Sequence, residues 1–262
     1  MSVSLDLTGR HALVCGASRG IGHAAALAIG SLGARVTLLA RSPNLLEETA
    51  AALSSDGVDA DFVVADLDAR DDLMGRVDAV LEERGPIHIL VNNTGGPPSG
   101  RLLDASTDDL VVAFGRHVLA AHLLVQRVLP GMAEAGYGRI VNIVSISVRE
   151  PIPNLGVSNT IRAAMAGWAK TLSRELPPGV TINNVLPGYT ATSRLDELKH
   201  AISERTGQTA AEVEAGWTAH VPEGRIADPA ELGAVIAFLV SPAASFVRGV
   251  SLPVDGGRLF CI

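Results

Sequence analysis

Cys15-Gly16-Ala17-Ser18-Arg19-Gly20-Ile21-Gly22 is the stretch whose reading decides the fold. It follows the apolar run 11–15 (His-Ala-Leu-Val-Cys) and opens an alanine-rich segment over 20–32, so a buried strand turns directly into a helix. In such a turn Gly16 permits the tight bend, Gly20 lets the backbone approach a pyrophosphate, and Gly22 lets the helix pack close to the strand. The phosphates then sit at the positive end of the helix. The spacing is G-x-x-x-G-x-G, and strand–helix turns also use glycine for geometry alone. The buried strand before it and the helix after it favour the phosphate-binding reading.

Outward from this turn, β-branched runs at 35–40, 60–65, 87–93, 139–144, 180–186 and 250–254 alternate with helical stretches near 44–54, 69–84, 107–134, 155–176 and 229–240. Most of the runs are continuously apolar, which means burial on both faces. The alternation predicts an α/β fold, a single Rossmann-type doubly wound domain over 1–262. Its sheet has seven parallel strands with helices on both faces. One polar insertion, 193–224, follows the sixth strand at the ligand-binding edge and reads as a mobile substrate cover.

Composition narrows the function classes. The chain has 262 residues, 47% of them apolar but only 3% aromatic, so its core is built from Ala, Val, Leu and Ile. A net charge of −7 argues against a nucleic-acid or anionic-membrane surface. Cys15 and Cys261 make no disulfide framework, and no Cys/His cluster has zinc-ligand spacing, so no metal is expected. Arginines interrupt the most apolar third, which predicts no spanning helix. The start, Met1-Ser2-Val3-Ser4-Leu5-Asp6, does not read as a signal peptide, and a cytoplasmic location is expected.

Five motifs in order resemble the short-chain dehydrogenase/reductase family across nearly the whole chain. They are the glycine turn, with Cys15 in place of the usual threonine; Asp66-Leu67 after strand three; Asn92-Asn93-Thr94-Gly95 after strand four; Pro187-Gly188-Tyr189-Thr190-Ala191-Thr192 after strand six; and Val254-Asp255-Gly256-Gly257 near the C-terminus. The resemblance implies a nicotinamide dinucleotide held by Gly16, Ser18, Arg19, Gly20, Ile21, Gly22, Asp66, Leu67, Asn93, Thr94, Gly95, Gly188 and Thr190. After strand two an acid would accept from the 2′-hydroxyl of NAD. Here Ala40-Arg41-Ser42 stands instead. Arg41 and Ser42, with Arg19 facing the same place, favour a 2′-phosphate and so NADP(H) over NAD(H).

The family works with an Asn–Ser–Tyr–Lys set, and this chain departs from it. Ser145 falls on the family serine, Ser158 stands thirteen residues later where the tyrosine belongs, and Arg162 stands four beyond where the lysine belongs. His117 occupies the asparagine position. An aliphatic hydroxyl is a poor acid beside a phenol, whereas Arg162 can still bind ribose hydroxyls or polarise an oxygen. His117, with an ordinary pKa near neutrality, is a candidate to supply or relay the proton, against the more frequent alternative of a helix histidine bonded to a partner. Tyr189 reads either as a nicotinamide contact or as packing at the cover hinge.

Asn93-Thr94-Gly95-Gly96-Pro97-Pro98 and Ser147-Val148-Arg149-Glu150-Pro151-Ile152-Pro153-Asn154 resemble a divergent branch near the 3-oxoacyl-acyl-carrier-protein reductases. The resemblance implies an oxidoreductase acting on a small carbonyl or alcohol, assembled as a homotetramer or homodimer through 107–134 and 155–176. The absent tyrosine and lysine keep open a non-catalytic nucleotide-binding sensor or scaffold of the same fold.

Overall fold

A computed structural model describes residues 4–261; Met1–Val3, where the expected absence of a signal peptide partly rests, and Ile262 lie outside them. Seven parallel strands form one sheet in the order β3-β2-β1-β4-β5-β6-β7. They are β1 His11–Cys15, β2 Arg35–Ala40, β3 Ala60–Val64, β4 Ile89–Asn92, β5 Gly138–Ile143, β6 Val180–Pro187 and β7 Ser251–Val254. The inner strands β1, β4 and β5 are buried at every position, as their unbroken apolar runs require, while the edge strands β3 and β7 are only half-buried.

Helices α1 (Gly20–Gly30), α2 (Pro43–Ser55) and α9 (Pro229–Val240) close one face, where Ile29, Leu46, Leu53 and Ile236 join one apolar cluster. Helices α3 (Arg70–Arg84), α5 (Ala120–Glu134) and α6 (Gly156–Leu172) close the other through Leu73, Val77, Leu124 and Ala169. Because β1 pairs with both β2 and β4, the winding direction reverses between β1 and β4, which opens a crevice at their carboxyl ends.

A row of polar side chains crosses the buried sheet. Asn92, Asn142, Asn184 and Ser251 stand in register on β4, β5, β6 and β7. Asn92 Nδ2 donates to Asn142 Oδ1 at 2.8 Å, Asn142 Nδ2 to Asn184 Oδ1 at 2.8 Å, and Asn184 Nδ2 to Ser251 Oγ at 3.0 Å.

One expectation is corrected. The stretch 107–134 is not one regular helix: α4 (Thr107–Phe114) passes through a π turn, Gly115–Leu119, before α5 begins. The wide turn starts at Gly115, where a Cβ would meet Arg70 Nη1 at 2.8 Å. The insertion 193–224 contains the helices α7 (Ser193–Thr206) and α8 (Ala210–Thr218), and the first turns of α7 line the crevice. Thr192 caps α7, a Thr209–Glu212 capping box starts α8, and Lys199 joins the two through Glu214 at 2.9 Å. Among the described residues, no helix is long and apolar enough to cross a membrane.

Candidate active site

The crevice is a cleft of about 590 Å³, lined from the glycine turn at one side to the start of α7 at the other. Gly16 has φ +59°, and a Cβ there would lie 2.6 Å from Asn93 Nδ2; a Cβ on Gly22 would lie 2.2 Å from the Gly16 carbonyl oxygen. Only glycine at both places brings α1 and the Asn93 segment together, and Asn93 Nδ2 donates to Gly16 O at 3.2 Å. Ser18, Arg19, Gly20 and Ile21 line the cleft where α1 begins. The open cradle and the first-turn amides of α1 fit the phosphates of a dinucleotide.

Arg41, Ser42, Asp66 and Leu67 gather at the carboxyl ends of β2 and β3. Arg41 is 68% exposed and approaches Asp66 only to 4.0 Å, leaving its guanidinium free to turn toward another anion. Thr94 and Gly95 after β4, and Gly188 and Thr190 after β6, line the same cleft.

Ser145, Ser158 and Arg162 also line it. Ser145 follows β5, and its Oγ accepts from Ser147 N at 3.1 Å, so its own proton is available to donate. Arg162 Nη1 donates to Ile143 O at 2.8 Å, which ties α6 to the end of β5. Burial, then the nearby charge of Arg194, pulls the Arg162 pKa down to about 10, so it remains a cation at neutral pH.

His117 stands apart from these three. It lies in the π turn, 4% exposed, against a separate cavity of about 20 Å³ shared with Asn92 and Arg162. Burial, followed by the charges of Arg162 and Arg116, pushes its pKa down to about 2, opposed by a backbone hydrogen bond to Gly95. The imidazole is therefore neutral at working pH and holds no ionisable proton to give as an imidazolium there. Its Nε2 and Asn92 Oδ1 are buried without a partner among the described residues.

Three arginines of the cleft wall, Arg194, Arg258 and Arg116, escaped the sequence reading. Arg194 enters from the first turn of α7, and Arg258 lies 4.6 Å over the Tyr189 ring. Tyr189 stacks on Trp217 of α8 at 5.0 Å, so its packing role is filled while it still lines the cleft. Arg194 stands two residues past Thr192, a spacing that could have drawn notice to it. Arg116 Nε donates to Asp68 at 2.9 Å and also feels the charge of Asp66.

The family model described as enoyl-(acyl carrier protein) reductase matches residues 16–258. The 3-oxoacyl-[acyl-carrier-protein] reductase FabG of Pseudomonas aeruginosa is 32% identical over 256 residues, covering 97% of this chain and 98% of its own. Gluconate 5-dehydrogenase of Gluconobacter oxydans is 32% identical over 254 residues, covering 96% and 95%. The crystal structure of L-sorbose reductase from Gluconobacter frateurii, complexed with NADPH and L-sorbose, superposes with a TM-score of 0.93 at 28% identity, covering 98% and 99%. These full-length likenesses, on top of the seven-stranded sheet and the glycine cradle, place the chain in the short-chain dehydrogenase/reductase family of oxidoreductases.

Proposed function

We propose that the chain transfers hydride between NADP(H) and a small carbonyl or alcohol, using Ser145, Ser158 and Arg162 in place of the family's serine, tyrosine and lysine. The observation that carries this reading is that all three line the cleft that also contains the glycine cradle. NADPH held there supplies the hydride, and the L-sorbose reductase neighbour was crystallised with that nucleotide. Arg41, Arg19 and Ser42 stand ready for a 2′-phosphate, which supports NADP(H) over NAD(H). Ser145 Oγ–H and the Arg162 guanidinium donate to the substrate oxygen and stabilise the alkoxide as it forms. With His117 neutral and buried, the proton reaches that alkoxide from solvent through the hydroxyls of Ser145 and Ser158.

The missing phenol favours a second reading, a nucleotide sensor or scaffold without redox chemistry. Single-turnover oxidation of bound NADPH against a broad carbonyl panel separates the two. Turnover that Ser145→Ala lowers without weakening NADPH binding supports the enzyme; NADPH that no carbonyl ever oxidises leaves the sensor. Exposed Val111 and Val112 on α4, with Ala163 and Gly167 exposed on α6, support assembly as a homodimer or homotetramer through these helices.

A further inference from the structure

The substrate end of the cleft holds more positive charge than hydride transfer needs. Arg162 and Arg194 converge on Gly96: a Cβ there would lie 3.8 Å from Arg162 Nη2 and 4.0 Å from Arg194 Nε. Each is tethered through one nitrogen to a backbone oxygen, Arg162 to Ile143 and Arg194 to Pro97 at 2.9 Å, so neither swings away from the other. Burial lowers the proton affinity of Arg162 most, and the charge of Arg194 lowers it further. The carboxylate nearest to hand is Glu197, 3.3 Å from Arg194, but its side chain is 59% exposed and its charge is largely spent on water. Arg162 forms no ion pair among the described residues, and neither does Arg258 across the cleft wall. Two like charges held close in a partly desolvated cleft call for an anion between them.

Resting on the oxidoreductase reading above, we propose that Arg194, together with Arg162, selects substrates that carry a carboxylate or phosphate beside the reacting carbon. Guanidinium N–H donors match either oxyanion, and Arg162 Nη2 and Arg194 Nε, tethered neither to backbone nor to Glu197, are the ones that lie beside Gly96. Arg194 acts here as a specificity residue and Arg162 serves both the reacting oxygen and the anion.

The test uses the NADP⁺ complex of the full chain, with Trp217 fluorescence as reporter through its stack on Tyr189. The probes are 2-, 3- and 4-oxo acids, each with its neutral amide, and dihydroxyacetone phosphate with dihydroxyacetone. At least one anion should bind about tenfold or more tightly than its neutral twin. An acid pair that discriminates identifies a carboxylate, and the phosphate pair identifies a phosphate. Arg194→Met should erase the preference while leaving the NADPH dissociation constant unchanged, and Arg194→Lys should keep part of it. Equal affinity within every pair overturns the proposal. So does an Arg194→Met variant that loses NADPH affinity as much as anion affinity, since the guanidinium then serves the cofactor. A chain that never binds NADPH refutes the oxidoreductase reading instead; one that oxidises NADPH with no regard to substrate charge refutes only this inference.

Discussion

Acidification should unfold this protein through histidines that the fold keeps neutral. His117 and His11 are both nearly fully buried, with pKa values pushed down to about 2 and about 4 from an ordinary 6.5, in each case chiefly by burial. A histidine depressed in this way contributes stability that is fully present above 6.5 and lost as pH falls toward the folded value, because only the unfolded chain takes up the proton. At pH 5 both remain essentially neutral when folded, while each is protonated when unfolded. The loss is about 2 kcal/mol for each, from about 1.4 kcal/mol per pH unit, or about 4 kcal/mol together between pH 7 and pH 5. His88, also pushed down by burial and then by Arg10, acts in the same direction. Urea unfolding at the two pH values gives the difference directly. His117→Asn alters stability at pH 7 by an amount set by packing, but its pH-dependent loss should be about 2 kcal/mol smaller than that of the parent. If the variant and the parent lose the same free energy on acidification, His117 is not buried neutral.

Three further outcomes test the site and the assembly. Arg41→Asp should reverse the nucleotide preference, since losing a charge-assisted contact costs about 1.5–3 kcal/mol and an acid repels the 2′-phosphate; equal dissociation constants for NADPH and NADH in the parent would remove the basis for this. The paired change Ser158→Tyr with Arg162→Lys puts a tunable phenol one helical turn from its cation, and should raise generic ketone reduction by about 10²-fold or more, read as NADPH consumption. Light scattering at micromolar concentration should give a dimer or tetramer, and a stable monomer would show that the exposed apolar residues of α4 do not mediate assembly.

The strands were legible because burial on both faces leaves no polar alternation, and all seven fall within a residue or two of the apolar runs. The glycine turn was legible because close backbone approach admits only glycine, as the Cβ positions at Gly16 and Gly22 show. The π turn was not, since it changes hydrogen-bond span within an apolar stretch whose pattern stays helical on either side. Helices α7 and α8 were hidden by polar composition, although Thr192, the Thr209–Glu212 pair and Gly207 at φ +73° mark their ends. The titration of His117 depends on which elements close over it, and the meeting of Arg194 with Arg162 depends on two segments distant in sequence. Neither can be read from spacing alone.

The amide row across the sheet gives the molecule a transverse polarity. From Asn92 to Ser251 each amide donates in the same sense, so the dipoles align and leave Asn92 Oδ1 as the bare negative end, facing the small cavity beside Arg162 and His117. Turning Asn142 over would set donor against donor on one side and acceptor against acceptor on the other, and turning Asn92 or Asn184 over would create one such clash with Asn142. The row therefore reverses as a unit or stays put. Asn184, two strands away from Asn92, thus helps to fix the orientation of an oxygen it never touches, one that belongs to the lining shared with Arg162, through a file of side chains running at right angles to the strands.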